Sequence, residues 1–185
     1  MGAHLIFSYP QTTRPGELDQ TLLGILPTIQ GAKIPYSAVP LDSQLPHEVL
    51  RRQLHRIVEK TSGRIILGGF SLGGLLSVEV AATLPVQALV CLGFPFHARG
   101  APLERRGLNA LREVSVPTLV IQGTRDPYGS YGEVRGYLPL PLGVAIQWLK
   151  DGNHRFLPRK RSKITIDTHL ASAGEATLRF IHGQA

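Results

Sequence analysis

Gly69-Phe70-Ser71-Leu72-Gly73-Gly74 restricts the fold of this chain more than any other segment. It follows the apolar run Arg64-Ile65-Ile66-Leu67-Gly68 and precedes Leu75-Leu76-Ser77-Val78-Glu79-Val80-Ala81-Ala82, which reads as a helix. A strand that turns sharply into a helix needs glycines on both sides of the turn residue, because a Cβ there collides with the neighbouring backbone. The pattern G-x-S-x-G in this setting lifts Ser71 clear of a sheet. It also sets the serine over a helix N-terminus, where negative charge is favoured.

The rest of the chain fits that reading. Short apolar runs alternate with amphipathic stretches, the pattern of a parallel sheet flanked by helices. Strands are expected at 4–8, 33–39, 64–69, 88–93, 118–122 and 145–149, and helices at 17–30, 46–60, 72–84, 103–112, 131–137 and 168–182. Several strands are unbroken Ile/Leu/Val, as expected where helices cover both sheet faces. In the second helix Val49, Leu50, Leu54, Ile57 and Val58 form one apolar stripe. The expected architecture is a three-layer α/β/α core on a mostly parallel sheet of about six strands, without a lid domain. With 185 residues, it forms a single domain over 1–185.

Composition narrows the alternatives. No apolar run approaches the length of a membrane span, and Met1-Gly2-Ala3-His4-Leu5-Ile6-Phe7 lacks the basic region of a secretory signal. Cys91 is the single cysteine, so an internal disulfide is excluded, and its apolar setting reads as a buried strand. The expected compartment is the cytoplasm. The net charge of +7 is densest in Arg155-Phe156-Leu157-Pro158-Arg159-Lys160-Arg161-Ser162-Lys163. Only Phe156 is aromatic there, which reads as a solvated loop rather than a nucleic-acid surface. A small molecule is the expected partner, with neither nucleic acid nor membrane involved. No His, Cys or carboxylate set has metal-ligand spacing, so no metal is expected.

A serine hydroxyl attacks carbonyls only when a base takes its proton and a third group orients that base. Two later loops supply candidates at strand ends, where ligands bind in open α/β sheets. Thr118-Leu119-Val120-Ile121-Gln122-Gly123-Thr124-Arg125-Asp126-Pro127 carries an acid, although Asp126 before Pro127 also reads as a turn initiator. Ala145-Ile146-Gln147-Trp148-Leu149-Lys150-Asp151-Gly152-Asn153-His154 carries a histidine. Ser71 is therefore the candidate nucleophile, His154 the base and Asp126 its orienting carboxylate. Asp151 is a rival acid that reads better as a turn stabiliser. His97 lies in the irregular segment Phe94-Pro95-Phe96-His97-Ala98-Arg99-Gly100-Ala101-Pro102, where a binding role is open. Tyr9, Phe70, Phe94 and Phe96 are further candidates for substrate contact, and for Phe70 and Phe94 core packing is an equal alternative.

At these blocks the chain resembles the α/β hydrolases, in particular the small dienelactone-hydrolase-like branch that includes testis-expressed protein 30. The resemblance rests on Gly68–Gly74, on Leu92-Gly93-Phe94-Pro95-Phe96-His97, and on the stretch from Val116 to Gly129. Asp151-Gly152-Asn153-His154 and Pro158-Arg159-Lys160-Arg161-Ser162 complete it. It implies a Ser-Asp-His triad on Ser71, Asp126 and His154, and an oxyanion hole made by two main-chain N–H groups. It implies no cofactor. The first strand departs from the family's His-Gly-x-Gly turn and reads Ile6-Phe7-Ser8-Tyr9-Pro10-Gln11. Leu72 remains the first donor, Pro10 has no N–H, and Tyr9 or Gln11 is the expected second donor. The implied activity is hydrolysis of small accessible acyl compounds, carboxylic esters above all, through an acyl-enzyme. The alternative is a non-catalytic binding or scaffold protein with an impaired oxyanion hole, since the same branch includes a subunit of a histone-acetyltransferase complex.

Overall fold

The computed structural model describes residues 3–11 and 20–184, without the side chains of 20–23. The described elements alternate strand and helix: β1 (His4–Pro10), α1 (Gln20–Gly31), β2 (Tyr36–Leu41), α2 (His47–Lys60), β3 (Ile65–Phe70) and α3 (Leu72–Ala81). They continue through β4 (Ala88–Leu92), α4 (Arg106–Arg112), β5 (Thr118–Gly123), α5 (Tyr131–Arg135), β6 (Val144–Leu149) and α6 (Ile166–His182). Among the described residues the strands form one six-stranded sheet in the order β2-β1-β3-β4-β5-β6, with every pairing parallel.

Alternation along the strands divides the core in two. Ile6, Leu67, Leu89, Cys91 and Val120 pack with Leu50, Leu54, Leu76 and Leu108, beneath α2, α3 and α4. Leu5, Phe7, Ile66, Val90 and Ile121 pack with Ile25, Ile29, Ala173 and Ile181 of α1 and α6 on the opposite face. This is the expected three-layer core, and because the strands are parallel, all their C-terminal ends open at one edge.

Element boundaries differ from expectation for local reasons. β2 starts at Tyr36 rather than residue 33, because Lys33 takes a left-handed φ of 55° and its N–H closes a turn on Gln30 O. α4 starts at Arg106 rather than 103, after Arg105 at φ 43°. α6 starts two residues early, where the Thr165 hydroxyl accepts the Thr168 N–H. The expected start of the first helix, residues 17–19, lies outside the described residues. β1 runs two residues further than expected, to Pro10, and this extension bears on the site.

Cys91 is fully buried, and loss of solvation pushes its thiol up to about 12. Burial shields the thiol from reagents and disfavours the thiolate, the reactive form. Iodoacetamide is therefore expected to leave Cys91 unmodified in the folded protein and to alkylate it in guanidinium, as followed by intact mass.

Candidate active site

Ser71 sits between β3 and α3 with φ 53° and ψ −119°. A non-glycine residue in this region stores on the order of 1–3 kcal/mol, which the surroundings must hold. They do so by leaving no slack. The Ser71 N–H donates to Leu92 O at 2.9 Å, continuing the β3–β4 ladder past the strand end. A Cβ on Gly73 would stand 2.1 Å from Ser8 O, and one on Gly69 2.5 Å from the same oxygen. The Ser8 hydroxyl ties this junction from below: its Oγ lies 3.0 Å from Gly73 O, and Ser77 Oγ donates to Gly68 O at 2.8 Å. Gly73→Ala is expected to cost about 3 kcal/mol or more, because the clash is with backbone and cannot be relieved by a rotamer. A lowered urea midpoint with unchanged slope is the measurement.

Asp126 follows β5 and is completely buried. Its two oxygens have different work. Oδ1 accepts the Tyr128 N–H at 2.9 Å, closing the turn that Pro127 signals. Oδ2 lies 2.8 Å from Nδ1 of His154. A carboxylate only accepts, so Nδ1 carries the hydrogen and Nε2 keeps its lone pair. Nε2 is 2.9 Å from Ser71 Oγ. The structure thus brings the three predicted side chains into one hydrogen-bonded line, with one Asp126 oxygen in the turn and the other on His154.

Asp151 does not reach His154. Its Oδ1 accepts from Arg159 Nε at 2.6 Å and Arg125 Nη1 at 3.3 Å, and its N–H donates to Thr124 Oγ1 at 2.8 Å. Desolvation opposes its ionisation, but the bonds from Arg159 and Arg125 outweigh this and hold the carboxyl below its usual range. It anchors the basic loop to the β5 end, as a turn stabiliser should.

Other expectations need correction. Phe96 is completely buried, with its ring edge-on to Phe94 at 5.2 Å and beside Tyr137 at 6.4 Å, so it is core and lines no site. His97 is also buried; its Nδ1 meets Ala98 O at 2.7 Å and its Nε2 lies 3.5 Å from Glu133. Hydrogen bonds from Ser130, helped by the nearby His97, hold the Glu133 carboxyl below its usual range. Tyr9 is buried with Phe7 and Leu26 on the α1 and α6 side, and that burial pushes its phenol up. Phe70 is also buried but stays beside the site, its ring 5.1 Å from that of His154.

Gln11 does not aim its N–H at Ser71. It donates to Leu41 O at 2.7 Å, because the β1–β2 ladder continues past Pro10. Leu5 N also donates toward β2, to Pro35 O. Main-chain groups two apart on a strand point the same way, so the Tyr9 N–H faces β2 as well. Neither expected second oxyanion donor is turned toward the serine.

Three residues near the site escaped the sequence reading. Tyr128 lies with its ring 4.6 Å from His154, and its place two residues after Asp126 was the available signal. Buried Gln122 accepts the Phe94 N–H at 2.7 Å and donates to Phe94 O and Gly129 O, stapling the loops after β4 and β5 together. Ser8, described above, is the third. Among the described residues no group of three His, Cys, Asp or Glu could hold a metal ion, and no helix is long and apolar enough to cross a membrane.

A parallel sheet in this strand order, with a serine on the sharp β3–α3 turn and later loops meeting it at the same edge, defines the α/β-hydrolase fold. Residues 40–182 match the alpha/beta hydrolase domain family, and the chain belongs to it. The fold is similar to that of Est1E from Butyrivibrio proteoclasticus, with TM-score 0.74 and 12% identity over 98% of this chain and 89% of that one. It is also similar to the monoacylglycerol lipase of Paleococcus ferrophilus, with TM-score 0.72 and 12% identity over 98% and 95% of the two chains. The esterase domain of a Rhodothermus marinus protein gives TM-score 0.70 and 14% identity over 97% and 86%. No curated protein sequence matches the chain.

Proposed function

We propose that this protein is a serine hydrolase of small, accessible acyl compounds, with carboxylic esters the first class to try. The observation that carries the proposal is the line from Ser71 Oγ through His154 to Asp126, at 2.9 and 2.8 Å. Ser71 Oγ attacks the acyl carbonyl while His154 Nε2 takes its proton, and the buried Asp126 stabilises the imidazolium that forms. His154 then returns the proton to the leaving alcohol as the C–O bond breaks. Water, deprotonated by the same nitrogen, releases the acid and regenerates Ser71. The first N–H groups of a helix have no intrahelical acceptor, so Leu72 N–H is the donor available to the oxyanion. No cofactor is needed, and the family resemblance favours the dienelactone-hydrolase-like branch. The lone buried thiol, Cys91, fits a reducing compartment such as the cytoplasm.

One observation favours a second reading, a hydrolase-fold protein that binds without catalysis. Gln11 N–H is spent on Leu41 O, and Pro10 has none. Loss of one oxyanion donor costs about 10²–10³ in rate. A fluorophosphonate probe separates the readings, since it needs an activated serine and no particular substrate. Labelling of Ser71 in the folded protein, mapped by peptide mass, together with turnover of short-chain aryl esters, supports the enzyme. A folded protein that stays unlabelled between about pH 6 and 9 sinks it and leaves the binding reading.

A further inference from the structure

The loop that presents His154 is held from the far side by a second histidine. Two residues beyond His154, Phe156 has φ 65°, a conformation that a bulky side chain adopts only under constraint. Its ring is completely buried among the apolar residues between the sheet and α6. Its N–H donates to Asn153 O at 2.9 Å, and Asn153 Oδ1 accepts the N–H groups of Arg155 and Leu157 at 2.9 and 3.0 Å. These bonds close the loop on itself without fixing it to the fold.

On the β5 side the loop is tied to the fold by Asp151, which meets Arg125 and Thr124, and by Gly152 O, which accepts the Arg125 N–H; two further contacts bear on the segment around Phe156 itself. Underneath, the loop rests directly on the β5 end, where a Cβ on Gly123 would stand 2.4 Å from Asn153 O. Above, His169 of α6 brings Nδ1 to 2.6 Å from Phe156 O. His169 is only 3% exposed, and its Nε2 has no hydrogen-bond partner among the described residues. A carbonyl only accepts, so Nδ1 carries the hydrogen. A buried imidazole with one nitrogen left unpaired is a poor choice for packing alone, since unpaired buried polar atoms cost stability. Its paired nitrogen meets the one carbonyl that the strained residue turns toward α6.

We infer that His169 is a positioning residue: its Nδ1–H, bonded to Phe156 O, locks the left-handed turn that holds His154 between Asp126 and Ser71. The inference rests on the proposed serine-hydrolase reading. It adds a lever outside the three reacting side chains, reaching the base through α6. Without the bond, the Phe156 carbonyl loses its α6 partner while the buried ring and the Asn153 bond remain, and the turn shifts by enough to carry His154, two residues away, with it. Displacements of about 1 Å at a catalytic group cost on the order of a hundredfold in rate.

The test compares His169→Leu, which removes the donor at similar volume, with His169→Asn, whose amide nitrogen overlays Nδ1. Probe inactivation of Ser71 is resolved into maximal rate and probe affinity, and thermal unfolding is followed in parallel. The Leu variant is expected to lose about 10- to 100-fold in maximal rate with affinity unchanged, and the Asn variant to recover most of it. The downfield proton signal of His154 Nδ1–H should fade in the Leu variant and return in the Asn variant. A folded Leu variant that labels at the wild-type rate, or a folded Asn variant as slow as Leu, overturns the inference. If the variants do not fold, the wild-type protein still decides: nitrogen NMR must find His169 in its Nδ1–H form, and an Nε2–H form overturns it. A wild-type protein that never labels is a different failure, of the enzyme reading; the His154 signal then judges the clamp by itself.

Discussion

Ser71→Ala and His154→Ala are each expected to abolish fluorophosphonate labelling and to lower ester hydrolysis by about 10⁴-fold or more. On the proposed mechanism the two groups act as a unit. In it His154 is the base that takes the Ser71 proton, its Nε2 being the hydrogen-bond partner of Ser71 Oγ, and without Ser71 the imidazole has no nucleophile to activate. The double variant is therefore expected to be about as inactive as either single one, a non-additivity that independent contributions would not give. Both side chains are partly exposed at the edge of the sheet, so unfolding midpoints should change little. Residual hydrolysis within about tenfold of wild type in Ser71→Ala would place the activity elsewhere.

Asp126→Asn should be nearly as severe, for a reason visible in the oxygen assignments. The Tyr128 N–H demands an acceptor at Oδ1, so the amide must keep its oxygen there and turn its NH₂ toward His154. His154 Nδ1 then has to accept, which moves the ring hydrogen to Nε2 and points it at Ser71 Oγ. The base becomes a donor. On the proposed mechanism a loss of about 10⁴ in maximal rate is expected, the size seen when the tautomer is inverted in serine proteases, while the turn and the stability are retained. Labelling kinetics at saturating probe measure it, and a loss under about tenfold would mean that Asp126 is only a turn residue.

The sequence carried the strand–helix alternation because each parallel strand is buried on both faces and therefore reads as solid apolar residues, as in Ala88-Leu89-Val90-Cys91-Leu92. Ser71, Asp126 and His154 were legible for a related reason: each follows a strand end, and parallel strands bring those ends to one edge. What stayed hidden depends on side-chain direction. Phe96 and His97 lie in an irregular loop whose residues have no periodicity to mark inside from outside, and the structure turns both inward. The extra residues of β1 were equally invisible, since whether Tyr9-Pro10-Gln11 leaves the sheet or follows β2 is decided by a pairing partner about thirty residues away. His169 gave no signal in the sequence, because a clamp depends on where another loop's carbonyl arrives.

The spacing of the three proposed reacting groups along the chain also makes the site a reporter of folding order. Ser71 and His154 are 83 residues apart in sequence, His154 and Asp126 are 28 apart, and β4 separates the strands that deliver Ser71 and Asp126. No local segment can assemble this edge, and closing such long loops is slow relative to forming helices. During refolding, probe reactivity should therefore lag behind helical circular dichroism. It should rise only as β6, at the rim of the sheet, docks and delivers the imidazole.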